Sequence, residues 1–122
     1  MSISAAESQV MEALWRRSPL TAEEIVAEIA GPQGWSEATV KSLINRLLTK
    51  GVIEAEKAGR RYLYRPRVDR LAYVSHESRG LLDRLFDGRI APLVSHFSKT
   101  DQLSPEDIVE LKRLIAELDD DH

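Results

Sequence analysis

Helical periodicity breaks off at Gly51 and gives way to two short strand-like runs, an order that few folds share. The runs cover residues 52–57 and 61–65, with Ala58-Gly59-Arg60 between them and Pro66 closing the second. They predict a β-hairpin around a glycine turn. Three capped helical segments precede it. Ser4-Ala5-Ala6-Glu7 is a capping box, followed by Val10, Met11, Leu14 and Trp15 at helical spacing, and predicts a helix over 5–16 that Ser18-Pro19 ends. Thr21-Ala22-Glu23-Glu24 repeats the box ahead of Ile25, Val26 and Ile29, predicting a helix over 22–30 that stops at Gly31-Pro32-Gln33-Gly34. Ser36 precedes Val40, Leu43, Ile44, Leu47 and Leu48, an i, i+3, i+4, i+7, i+8 stripe that predicts a helix over 37–50 with Gly51 at its end. Three helices followed by a hairpin is the order of a winged helix-turn-helix.

From Val68 the pattern is helical again. Leu71, Tyr73, Val74, Leu81, Leu82, Leu85 and Phe86 predict a long helix through Gly80, and a shorter one is expected over 90–97. Ser104-Pro105-Glu106-Asp107 is a helix start, with cap, proline at the first helical position and acids in the first turn. Ile108, Leu111, Ile115 and Leu118 then step by three, four and three, a heptad-like seam, before an acidic tail ending at His122. The fold expected is mainly α. An α+β winged-helix lobe with its hairpin wing occupies 1–67, and a helical dimerisation lobe occupies 68–122. Lobes of about 60 residues have only marginal cores of their own, so burial against a partner subunit is expected, with Leu81, Leu82, Leu85, Ile108, Leu111, Ile115 and Leu118 at the dimer interface.

The net charge of −3 disguises an uneven distribution. Residues 36–67 hold eight basic and three acidic side chains, whereas the segments on either side are net acidic. A basic block of this kind suits a polyanion, and a solvated basic face is the plainer reading. There is no cysteine, which rules out disulfides and cysteine-based metal sites or nucleophiles. No apolar run approaches the roughly 20 residues of a membrane span, and Met1-Ser2-Ile3-Ser4 lacks a signal-peptide pattern. A cytoplasmic protein that does not insert into membranes is expected.

The face of the third helix opposite its apolar stripe carries Glu37, Ala38, Lys41, Ser42, Asn45, Arg46 and Thr49. Short polar groups with two cations fit the major groove, where arginine pairs with guanine, asparagine with adenine, and methyl groups meet thymine. Ala38, Lys41, Ser42, Asn45 and Arg46 are therefore the candidate base-reading residues, against the alternative of an ordinary solvent face. Lys57, Arg60 and Arg61 flank the hairpin turn, where they would meet phosphate or simply guard an exposed sheet edge. Ser36 and Thr39 lie at the helix start, able to serve phosphate or only to cap. Among the aromatics Trp15, Trp35, Tyr62 and Tyr64, the two tryptophans read as packing residues, and no base-stacking platform is visible. His76, Glu77 and His96 could share a metal only across an interface, and surface histidines are the commoner case. No zinc-protease motif, phosphate loop or nucleophile–base pair occurs, so neither an enzyme nor a cofactor is expected.

The residues also resemble a known family. Ile3-Ser4-Ala5-Ala6-Glu7 through Leu14-Trp15, the run from Trp35-Ser36-Glu37-Ala38-Thr39-Val40 to Arg46-Leu47, Lys50-Gly51-Val52-Ile53, Arg60-Arg61-Tyr62-Leu63-Tyr64, and Leu103-Ser104-Pro105-Glu106-Asp107-Ile108 are similar to the penicillinase repressors (the BlaI/MecI/CopY type). The resemblance spans essentially the whole chain. It implies a sequence-specific transcriptional repressor that binds double-stranded DNA as a homodimer on an inverted repeat, with TACA/TGTA-type half-sites. Family members control β-lactam resistance or, in a branch with a C-terminal cysteine motif that this chain lacks, copper handling. In the β-lactam branch a membrane sensor metalloprotease triggers cleavage at an Asn-Phe bond. Alignment puts that bond at His96-Phe97, where Phe97 matches and His96 departs. A ligand-responsive winged helix of another family and a protein-interaction winged helix are the alternatives, separable by a gel shift on the protein's own promoter.

Overall fold

The computed structural model describes residues 2–121. Its elements run α1 (Ala5–Arg16), α2 (Ala22–Gln33), α3 (Glu37–Lys50), β1 (Ile53–Ala58), β2 (Arg61–Pro66), α4 (Arg70–Leu85), α5 (Ile90–Lys99) and α6 (Pro105–Asp120). The winged-helix order read from the sequence is the order observed.

Each of the first three helices starts on its own side-chain cap. Ser4 and Glu7 form a reciprocal box on α1, Thr21 and Glu24 another on α2, and Ser36 accepts from the Thr39 N–H on α3. Their apolar stripes converge. Val10, Met11 and Leu14 of α1, Ile25 and Ile29 of α2, and Val40, Leu43, Ile44 and Leu47 of α3 are buried together with Leu20, Val52 and Ile53. The back of α3 is thus fixed by the core, which leaves its opposite side facing outward.

α2 is one turn longer than the sequence suggests. It runs through Gly31 and Pro32 and ends at Gly34, which takes φ +70°. The Gly34 N–H reaches the Gly31 carbonyl at 3.1 Å and the Trp35 N–H reaches the Ala30 carbonyl at 2.9 Å. That Schellman pair satisfies the final carbonyls, so the one hydrogen bond that proline deletes in the last turn is tolerated. Gly51 ends α3 in the same manner, with Val52 N–H on the Leu47 carbonyl.

β1 and β2 pair antiparallel, Ile53 opposite Pro66 and Ala58 opposite Arg61. Gly59, at φ +65°, is the first residue of a two-residue turn, where a side chain would be strained. Leu20 exchanges both backbone hydrogen bonds with Tyr64, at 2.8 and 3.1 Å, and so ties the hairpin to the α1–α2 connection.

The chain divides into two compact units between Val74 and Ser75, later than the 67/68 boundary expected from the sequence. The first turn of α4 belongs to the first unit for physical reasons. Trp15 Nε1 donates to the Val68 carbonyl at 2.9 Å, and the Trp15 and Tyr73 rings lie 5.3 Å apart. Arg70 Nε bonds both carboxylate oxygens of Glu12 at 3.2 Å. Trp15 and Trp35 are half-buried and pack on the core, in keeping with a packing role.

The second unit is helical and buries little. Leu82 is its buried hydrophobic residue among the described residues. α5 runs to Lys99 and α6 to Asp120, each past the end suggested by the sequence. Arg113 pairs with both Glu110 and Glu117, offsetting the acids along α6. Among the described residues, no helix is long and apolar enough to cross a membrane.

Candidate nucleic-acid interface

The outward side of α3 is built from two rows set by helical spacing: Glu37, Lys41 and Asn45, and beside them Ala38, Ser42 and Arg46. All six are exposed, as are Ser36, Thr39 and Thr49. Ala38, Thr39, Ser42, Leu43 and Arg46 line a shallow open depression along this side. The Arg46 guanidinium has no ion-pair partner among the described residues, which leaves its donors available. Lys41 is different. Its Nζ lies 2.8 Å from Glu37 Oε1. That hydrogen bond, with the charge attraction beside it, holds the Glu37 carboxyl below its usual value and the Lys41 ammonium above its own.

At the start of α3 the Ser36 and Thr39 hydroxyls lie 3.0 Å apart, and the Thr39 N–H is used by the Ser36 cap. What remains for an anion there is the other first-turn N–H groups, which helix geometry leaves without intrahelical acceptors. Lys57, Arg60 and Arg61 are exposed at the hairpin tip. Arg65 turns aside to pair with Glu56 at 2.6 Å. Exposed cations around a two-residue turn can meet phosphate at variable distance, supplying affinity without reading sequence.

One residue that sequence reasoning assigned only to a cap has a second role. Glu7 is 1% exposed, and its Oε1 accepts Lys50 Nζ at 2.6 Å from the far end of α3. Lys50 also donates to the Ser2 carbonyl at 2.8 Å. Burial pushes the Glu7 carboxyl up, but the Lys50 ammonium with the Ser4 N–H and hydroxyl outweighs it, and the group sits below its ordinary value. The clamp pins the C-terminal end of α3 to α1. No local signal marks it, because the partners are 43 residues apart.

In the helical unit, six of the seven predicted interface residues reach the surface. Leu81, Leu85, Ile108, Ile115 and Leu118 are exposed and Leu111 is half-buried. Leu82 differs in being 9% exposed. Val109 and Leu114 add further exposed apolar surface to α6. His96 and Phe97 lie within α5, His96 exposed and Phe97 half-buried, their rings 5.4 Å apart. His76 is exposed, and His122 lies outside the described residues.

Comparison with known proteins fits this arrangement to a family. Residues 3–117 match the family described as penicillinase repressor. The chain belongs to the penicillinase repressor family. The Bacillus licheniformis penicillinase repressor is 34% identical over 94% of this chain and 90% of its own length. The methicillin resistance regulatory protein MecI of Staphylococcus aureus (strain N315) is 30% identical over 93% and 92%. Among solved structures, the monomeric form of Bacillus licheniformis BlaI in complex with the blaP half-operator is 33% identical, with a TM-score of 0.52 over 57% of this chain and 85% of that one. The chain described above has the winged helix, the hairpin and the helical C-terminal elements that its sequence led one to expect.

Proposed function

We propose that the protein is a sequence-specific transcriptional repressor that binds an inverted-repeat operator as a homodimer and controls a β-lactam-response gene. The observation that carries this reading is the outward polar side of α3, held in place by a buried apolar back and flanked by an exposed cationic hairpin. Family membership supports it, as does a related BlaI whose structure was solved with a half-operator. α3 enters the major groove, Ala38, Lys41, Ser42, Asn45 and Arg46 face base edges, and Ser36, Thr39, Lys57, Arg60 and Arg61 face phosphates. The exposed Leu and Ile seam of α6, with Leu81 and Leu85 of α4, joins the two copies. Their α3 helices then reach successive major grooves about one helical turn apart. The bound dimer occludes the promoter.

Arg46→Ala is expected to weaken operator binding by about 1–3 kcal/mol and to relax preference at one base pair of each half-site. Binding measured across a panel of half-site variants checks this, and an unchanged profile would remove Arg46 from the reading set. Arg60→Ala and Arg61→Ala are each expected to reduce the slope of log affinity against log salt by roughly 1, with sequence preference intact. A salt titration that keeps the wild-type slope would count against phosphate contact.

Release of repression by a membrane sensor metalloprotease is proposed to act at the His96–Phe97 bond. That bond lies in α5, and a protease needs an extended backbone, so cleavage proceeds through local unwinding of this helix. Incubation with the activated sensor followed by intact-mass measurement tests it. Two fragments meeting at residue 96 are expected, and an uncut chain would exclude this route.

A further inference from the structure

Glu37 is the one carboxylate on the outward side of α3, among the residues placed toward base edges. Its position needs explaining, because a negative charge against DNA is repelled by the surrounding phosphates. A first-turn acid is ordinarily explained by the helix dipole and an i, i+4 pair with lysine. Three observations point further. Glu37 shares a row with Lys41 and Asn45 at the N-terminal half of the helix, the half that recognition helices present to bases. Its carboxyl is held ionised by the 2.8 Å contact with Lys41, and an ionised carboxylate accepts hydrogen bonds only. Lys41 gives one of its three ammonium protons to that contact and keeps two for another acceptor.

In the major groove, cytosine offers only a donor, its N4 amino group, whereas guanine offers only acceptors, N7 and O6. A carboxylate and an ammonium linked side by side match these two edges. We infer that Glu37 and Lys41 act as a linked pair that selects a C·G base pair at one position of each half-site, Glu37 accepting from cytosine N4 and Lys41 donating to guanine. This rests on the proposal that α3 reads the major groove. Thymine or guanine in place of cytosine would set an acceptor against the carboxylate, and the pair discriminates mainly through that repulsion. Adenine, which carries an amino donor beside its N7 acceptor, would be rejected less strongly.

The test uses the intact protein, its Glu37→Gln and Lys41→Met variants, and duplexes enriched from a random pool and then varied one base pair at a time. Both side chains are exposed, so neither change disturbs the core. Wild type is expected to prefer C·G at one symmetric position by roughly 5- to 150-fold over its complement. Glu37→Gln should lose that preference there and shift toward A·T, since glutamine pairs with adenine, with other positions unaltered. Lys41→Met should weaken preference at the same position. If wild type selects a sequence but Glu37→Gln only raises affinity uniformly, Glu37 is a helix-start acid and the inference is overturned. If wild type selects no sequence at all, the groove-reading proposal beneath it fails instead.

Discussion

Ile115→Asp combined with Leu118→Asp is expected to leave the protein monomeric and to lower its affinity for a full operator by about 10²- to 10⁴-fold. Ile115 is 57% and Leu118 60% exposed, on a helix that buries none of its residues. Soluble monomers rarely leave so continuous an apolar seam in water. Two aspartates on it put charge where a partner's leucines would have to desolvate it. The loss in affinity follows from linkage and not from any lost DNA contact. Once one winged helix is bound, the second meets its half-site at a high effective concentration, and a monomer has no such advantage. Affinity for an isolated half-site should therefore stay near wild type, since the first unit keeps its own core. Sedimentation equilibrium and gel shifts on full and half operators check both parts. A variant that keeps the dimer mass would show that the subunits join elsewhere.

Lys50→Met is expected to cost about 3 kcal/mol of stability at neutral pH, because it strands the Glu7 carboxylate in the core. The figure lies at the low end for a broken buried pair, since the Lys50 side chain is itself 38% exposed. Glu7 Oε2 is already buried without a hydrogen-bond partner, so removing Lys50 takes away the only cation on this carboxylate among the described residues and leaves the Ser4 N–H, at 2.8 Å from Oε1, as its remaining donor. The pH dependence has a definite sign. Glu7 is held below its ordinary value of 4.5, so the clamp stabilises the fold fully above that pH and loses its contribution as pH falls through the lowered value. Without Lys50, burial is opposed only by the Ser4 contacts, so the carboxyl takes up a proton at higher pH than it does in the wild type. The deficit of Lys50→Met should accordingly be largest near pH 7 and shrink toward pH 4. Urea unfolding of both proteins across that range measures it. A deficit independent of pH would mean that Lys50 stabilises through its contact with the Ser2 carbonyl or through its aliphatic stem.

What the sequence made legible and what it did not follow from the range of the interactions. Capping boxes at Ser4–Glu7 and Thr21–Glu24 act over three residues, and the stripe from Val40 to Leu47 acts over two helical turns, so local spacing carries them. The outward side of α3 was readable for the same reason: once the stripe is buried, helical geometry dictates what faces away. The Glu37–Lys41 pair also lies at a readable i, i+4 spacing, but its consequence for base choice depends on which side of α3 is exposed. The added turn of α2 was hidden because Pro32 argues for a stop, and only the hydrogen bonds closing at Gly34 and Trp35 show that it is tolerated. Leu82 sits among leucines of equal periodic rank, and nothing local distinguishes the one that turns inward. The first turn of α4 joins the winged-helix unit through Trp15 and Glu12, over 50 residues away in the chain.

Selection from a pool of random duplexes, with sequencing of the bound fraction, probes the role of α3 most directly. The enriched DNA should be an inverted repeat with half-sites about one helical turn apart, and the same selection with Arg46→Ala should lose information at one matched base pair in each half. Recovery of DNA with no enriched motif, or identical motifs from both proteins, would contradict base reading by the outward side of α3.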